Sequence, residues 1–341
     1  MILSAQKTSR RIMILGLAIL LTPNLCALSG KQESPLTFRT SSNLVLVDVV
    51  AFKNGLPEKT LTREDFQLFD NDSLVSIKTF DAGVQATTRP LAIWLVVQCR
   101  MPNWEGEGSG FFAGQIDRFL PPLKHIDKSD SVGVAHWCDD GAAQLDLQPT
   151  GNVNEVVKSV EQVLAAMPSI DNHNRAGELA LQKTLQLIVD ATRATKPEPL
   201  PVIIFLYGDH SGMPKPEANH FIDELLETSA VAFGLRDRRS PHILWLPGEQ
   251  KEVAHYIASE TGGEYLDVTP ESYGSGLDQI LQQLHFRYEL GFQPQVLDGK
   301  RHKVTVKFAD NVKNRHKTVR LRYRTAYVPV QPGSLQAQSA H

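Results

Sequence analysis

Cysteine is scarce in this sequence: 341 residues hold three, at positions 26, 99 and 138. Positive charge is not in excess either. The formal net charge is −3, so the clustered basic footprint of a nucleic-acid-binding protein is missing and nucleic acid is excluded as a partner. Long apolar runs are also lacking. Ile12 to Leu21 is apolar for about ten residues, too short to span a bilayer comfortably. No internal repeat is present. What remains is an ordinary globular composition, 42% hydrophobic and 21% charged, with ample material for a core.

Residues 1–29 read as a signal peptide. Lys7, Arg10 and Arg11 precede the apolar run, Pro23 and Asn24 break it, and Ala27-Leu28-Ser29 offers small residues for cleavage. An uncleaved anchor is the alternative, and it would be the chain's one attachment to a membrane. Cys26 raises lipid attachment, but Asn24-Leu25 before it is a poor match. Export predicts a periplasmic or extracellular location. It also leaves Cys99 and Cys138 as an even pair in an oxidising compartment, a disulfide candidate.

The pattern from Phe38 is β. Val45, Val47 and Val49 alternate with Leu44, Leu46 and Asp48 in a strand, and Lys53-Asn54-Gly55 is a turn. Thr62 and Asp65 sit at the spacing of a capping box. Phe66–Phe69 and Val75–Phe80 read as two further strands, so residues 38–85 form a small β module. After Pro90 the pattern changes. Leu91 to Val97 is a continuous apolar run, the mark of a strand buried on both faces. A Gly-rich loop at 103–110 and a helix over 111–120 follow. Strands are expected at 132–137, 142–147, 201–206, 231–235 and 264–268. Helices are expected at 155–167, 176–194, 217–229, 249–260 and 275–285. The alternation predicts an α/β domain over 90–286 with a doubly wound, mostly parallel sheet. β strands return at 288–292, 303–308 and 318–323. Residues 287–327 are expected to pack with the N-terminal module as a small β-sandwich, and 328–341 to be a loose tail.

Four segments carry a resemblance: Val45-Leu46-Val47-Asp48-Val49-Val50, Leu61-Thr62-Arg63-Glu64-Asp65-Phe66, Thr261-Gly262-Gly263, and Tyr288-Glu289-Leu290-Gly291-Phe292-Gln293-Pro294. Together they resemble a bacterial, acidobacterial-type family of exported proteins with a von Willebrand factor type A domain, over about residues 38–327. The resemblance implies protein binding at the C-terminal edge of the sheet, usually through a divalent cation. The family pattern there is Asp-x-Ser-x-Ser after the first strand, a Thr from a later loop and an Asp after the fourth strand, the oxygen set a hard cation needs. At those positions this chain has Gln98, Arg100, Pro102, Arg175 and Tyr207. The resemblance therefore implies a degenerate site with no cofactor, Arg100 standing as a fixed cation where a hydroxyl is expected. Asp209 is the possible displaced ligand. The resembled fold also makes the strands before Cys99 and Cys138 neighbours, which brings the two cysteines to one edge. A bridge between them and two free thiols both remain open.

Other constellations are weaker. His136, Asp139 and Asp140 end one strand, and Asp209 and His210 another, but no metal-ligand spacing such as His-x-x-x-His occurs. Gly106, Gly108 and Gly110 match neither a dinucleotide fingerprint nor a P-loop. Gly208-Asp209-His210-Ser211-Gly212 is not a nucleophile elbow, and adjacent residues cannot converge as a triad. The basic residues from Lys300 to Arg324 are read as a solvated face. The expected function is an exported, non-enzymatic module with a protein partner. Its candidate interaction edge comprises Arg100, Trp104, Asp139, Asp209 and His210. The alternatives are cation-dependent adhesion around Asp209 and an α/β hydrolase-like enzyme.

Overall fold

The structure is a computed structural model that describes residues 44–82, 89–99, 121–123, 126–138, 140–165, 175–194, 199–207, 212–238 and 250–329. Its first part is all β: β1 (Val45–Lys53), β2 (Leu56–Pro57), β3 (Phe66–Asp70), β4 (Ser73–Val75) and β5 (Thr79–Asp81). Asn54 and Gly55 both have positive φ, 53° and 81°, and Lys53 pairs with Leu56. This is the two-residue hairpin that Asn-Gly favours. Asn71 and Asp72, also at positive φ, make the same kind of turn between β3 and β4.

The α/β part follows with β6 (Leu91–Cys99), β7 (Ser131–Cys138), β8 (Ala143–Thr150), α1 (Val153–Ala165), α2 (Arg175–Ala194) and β9 (Leu200–Tyr207). It continues through β10 (Gly212–Pro214), α3 (Lys215–Glu227), β11 (Val231–Asp237), β12 (Gln250–Glu252), α4 (Val253–Thr261), β13 (Tyr265–Val268) and α5 (Tyr273–His285). The last strands are β14 (Tyr288–Phe292), β15 (His302–Phe308), β16 (Val319–Tyr323) and β17 (Ala326–Tyr327).

Six strands form the central sheet in the order β13-β11-β9-β6-β7-β8. Five are parallel, and β8 is an antiparallel edge. The apolar run of β6 is explained by its two covered faces. Ile93, Leu95 and Val97 pack with α1 and α5 through Val156, Val160, Leu277 and Ile280. Trp94 and Val96 face the other way, onto α2, α3 and α4 through Leu185, Ile188, Ile222 and Ile257.

The two ends of the described chain share two sheets. One has the order β16-β1-β14-β5, with β2 paired to β1, and the other β17-β15-β3-β4. Val47 faces Leu290 and Val49 faces Tyr288 across β1 and β14. Between the sheets lies a core of Val47, Val49, Phe66, Leu68, Phe292, Val304, Val306 and Tyr327. Burying alternate residues of each strand is what selects this pairing register.

Several expectations need correction. Val75–Phe80 is not one strand: β4 pairs with β3 while β5 pairs with β14 in the other sheet, and buried Ile77 marks the crossing. The helix expected from 249 begins at Val253. Residues 250–252 instead pair with β10, and the Glu252 side chain caps the helix by accepting from the His255 N–H at 2.8 Å. The basic C-terminal face is only partly solvated. Lys303, Lys307 and Arg320 are exposed. Arg322 instead pairs with Glu264 at 2.7 Å, and Arg324 is 5% exposed. Both are drawn inward because β16 and the turn after it lie against the α/β part. The helix expected at 111–120 lies outside the described residues.

Candidate functional site

Numbered by appearance, the central sheet runs 6-5-4-1-2-3, so the strand order reverses between β6 and β9. The chain leaves β6 toward one side and β9 toward the other. In an open α/β sheet such a reversal point, at the C-terminal strand ends, is the usual ligand position. Val97 and Leu206 are the last residues that the two strands pair with each other. Just beyond them stand Gln98 and Cys99 on β6 and Tyr207 on β9. Gln98 is buried. Arg175 is the first residue of α2.

Cys99 lies directly opposite Cys138 in the parallel ladder of β6 and β7, and Cys138 is disulfide-bonded. His136 is already partnered: its Nδ1 lies 2.7 Å from Asp146 Oδ2 on β8, and its carbonyl accepts from the Thr184 hydroxyl. Asp140 caps its own turn by accepting from the Ala142 N–H. Arg100, Pro102, Trp104, Asp139, Asp209 and His210 lie outside the described residues.

A group that sequence reasoning missed sits at the opposite end of the sheet. Asp127, Asp130 and His285 bring ligand-type atoms within 4.8 Å of one another. Asp130 accepts from the Leu91 N–H at 2.8 Å and faces His285 Nε2 at 2.9 Å. Both oxygens of this buried carboxylate thus pin the start of β6 and the end of α5 to the start of β7. No spacing signals it, because Asp130 and His285 are 155 residues apart.

A third group occupies the junction with the β sheets. Arg287, 2% exposed, donates from Nε to Asp48 Oδ1 at 2.8 Å and from its two amino groups to the carbonyls of Leu284 and Arg89. Arg89 completes the set with Asp48 at 3.2 Å and Glu289 at 3.5 Å. Burial, with Asp48 nearby, holds the Glu289 carboxyl above the usual carboxylate range. Asp48 and Glu289 were legible only as strand positions and Arg89 and Arg287 not at all, since the pairing depends on how the two chain ends meet.

No family model matches the sequence, and no curated protein matches it. Similar solved structures include the conserved hypothetical protein BatB from Bacteroides thetaiotaomicron, at 16% identity and TM-score 0.39 over 57% of this chain and 97% of that one. A von Willebrand factor type A protein from Catenulispora acidiphila is similar at 9% identity and TM-score 0.41, over 87% and 77% of the two chains. The vWF domain of the type V pili tip protein Mfa5 from Porphyromonas gingivalis is similar at 12% identity and TM-score 0.38, over 58% and 96%.

Proposed function

We propose that this chain is an exported interaction module of the von Willebrand type A kind, binding a protein partner at the C-terminal edge of its central sheet without a divalent cation. The observation that carries the reading is the reversal of strand order between β6 and β9, with Gln98 and Tyr207 at the two strand ends beside that reversal. An amide and a phenol there replace the carboxylates on which a hard cation depends. Arg100 and Pro102 continue the same substitution in sequence. The domain is read as residues 90–286, inserted between β segments 38–85 and 287–327. Residues 1–29 are read as the export signal, and the disulfide at Cys138 fits an oxidising compartment. Cys99 is assigned as its partner. No catalysis is assigned: the His136 ring pairs with Asp146, and among the described residues no hydroxyl or thiol is hydrogen-bonded to that ring.

Calorimetry of the mature chain with Mg²⁺ and Mn²⁺ tests the reading, together with capture of partners from the cell envelope with and without chelator. The expected result is no heat of cation binding and capture that chelator leaves unchanged. Micromolar cation binding that Asp209→Ala abolishes would establish cation-dependent adhesion at a displaced site instead.

A further inference from the structure

Arg324 lines a cavity of about 170 Å³ between the start of β1, the end of α3, the loop after β14 and residues 327–329. Leu44, Leu226, Pro294, Leu297 and Val328 supply apolar wall. Glu227, Ser229 and Arg324 also line it, so the wall is about as polar as it is apolar and opens on one side; its volume is that of a benzene-sized molecule. The guanidinium is unusual for such a place. Arg324 is 5% exposed. It donates to the Ser229 hydroxyl at 3.3 Å and to the Leu46 carbonyl, and its Nε has no partner. No carboxylate pairs with it among the described residues. Glu227 also lines the cavity but is engaged by Arg193 at 3.1 Å. Asp48 on β1 is the strongest acidic influence on Arg324, and Arg287 and Arg89 hold that carboxylate. Glu289 lies on that same Arg89.

Burial alone accounts for most of the electrostatics. Desolvation pulls the Arg324 guanidinium down to about 10, against the opposing charge of Asp48. A buried cation without a counter-ion is costly, and a bound anion offsets that cost. Guanidinium and carboxylate match in geometry, so the anion best suited to this mixed wall is a carboxylate on a small apolar body, with its charge toward Arg324 and its body against Leu226, Leu297 and Val328.

We propose that this cavity is a binding site for an apolar monocarboxylate whose carboxylate pairs with Arg324 while its hydrocarbon part fills the space between Leu226, Leu297 and Val328. Free short-chain or aromatic acids and the C-terminal residue of an apolar peptide share this chemistry. The site lies at the junction with the β sheets, away from the strand edge, so neither reading depends on the other.

Titration of the mature chain, followed by calorimetry and by amide shifts in NMR, tests the proposal. The probes are hexanoate, benzoate, hexanol, and a blocked tripeptide ending in leucine. Saturable binding of either acid, with hexanol at least about tenfold weaker, is expected. Binding of the tripeptide alone would assign the site to peptide termini within the same proposal. Arg324→Met is expected to weaken acid binding by at least about tenfold. Leu297→Trp, which fills the cavity and keeps Arg324, is expected to do the same and serves if Arg324→Met does not fold. Hexanol binding as tightly as hexanoate, no binding of any probe, or hexanoate binding unchanged in Leu297→Trp would each overturn the proposal.

Discussion

Position 262 excludes a side chain for two separate reasons. Gly262 ends α4 at φ +86°, and a Cβ there would lie 2.3 Å from the Arg324 backbone nitrogen. Gly299 has φ +69° with nothing within 4 Å. Gly299→Ala is therefore expected to cost about 1–2 kcal/mol, the left-handed strain alone. Gly262→Ala should cost clearly more, because the turn at Tyr323–Arg324 must also move; urea unfolding of the two variants measures the difference. Asp65 gives a pH prediction. Burial raises its carboxyl, but hydrogen bonds from the Thr62 N–H and hydroxyl, with His316 nearby, outweigh this and hold it below its ordinary value of 3.8. A carboxyl depressed in the folded state contributes stability that is present above about pH 3.8 and is lost as pH falls through the folded value. Asp65→Asn should flatten that loss and cost ~0.5–2 kcal/mol at neutral pH as a weakened cap, read from urea midpoints at pH 7 and pH 3. The cap was legible from Thr62 and Asp65 because it is local. Arg324 was not, since alternation along β16 gives the outward pattern of a solvated face and only tertiary packing covers it.

The long elements followed from periodicity. β6 needed only its uninterrupted apolar run, and α1 its stripe of Val156, Val160 and Val163. Elements held by a partner rather than by their own pattern stayed hidden. Gly212-Met213-Pro214 has no strand signature, and β10 exists because it pairs with β12. Parallel register is hidden in the same way, yet it decides where the cysteines meet. Neighbouring strands are about 4.8 Å apart, inside the Cα separation a disulfide tolerates. With Cys99 as partner of Cys138, the bridge closes a loop of roughly 40 residues and should contribute ~3–4 kcal/mol. Cys138→Ser is expected to lower the denaturant midpoint accordingly, and a reductant should do the same to the parent chain. Alkylation of the folded parent without reduction should label neither Cys99 nor Cys138; two labelled thiols in the mass spectrum would reject the pairing.

At the scale of the molecule, the described α/β and β parts belong to one compact unit, and charged side chains clamp their junction. Arg287 binds β1 through Asp48, the residue leading into β6 through the Arg89 carbonyl, and the end of α5 through the Leu284 carbonyl. Thr325 adds bonds to Glu260, and Arg301 reaches Asp223 on α3. Neither end segment completes the paired sheets alone, since β1 needs β14 and β16, and β3 needs β15. The two parts are therefore expected to unfold together. All four tryptophans, at 94, 104, 137 and 245, fall between residues 90 and 286, so their fluorescence reports the α/β part while far-UV dichroism reports the whole. The two probes should give coincident urea transitions. Arg287→Met should destabilise by roughly 3–5 kcal/mol, because it leaves Asp48 with Arg89 alone in a buried setting. Arg193→Met removes pairs to Glu224 and Glu227 on a more exposed helix surface and should cost below about 1 kcal/mol. Replacing Asp48 by Leu together with Arg287→Met should recover part of the loss, because removing both charges leaves none stranded. If Arg287→Met instead splits the two transitions apart, the junction is a hinge between independently folding parts and the clamp assigned to Arg287 is wrong.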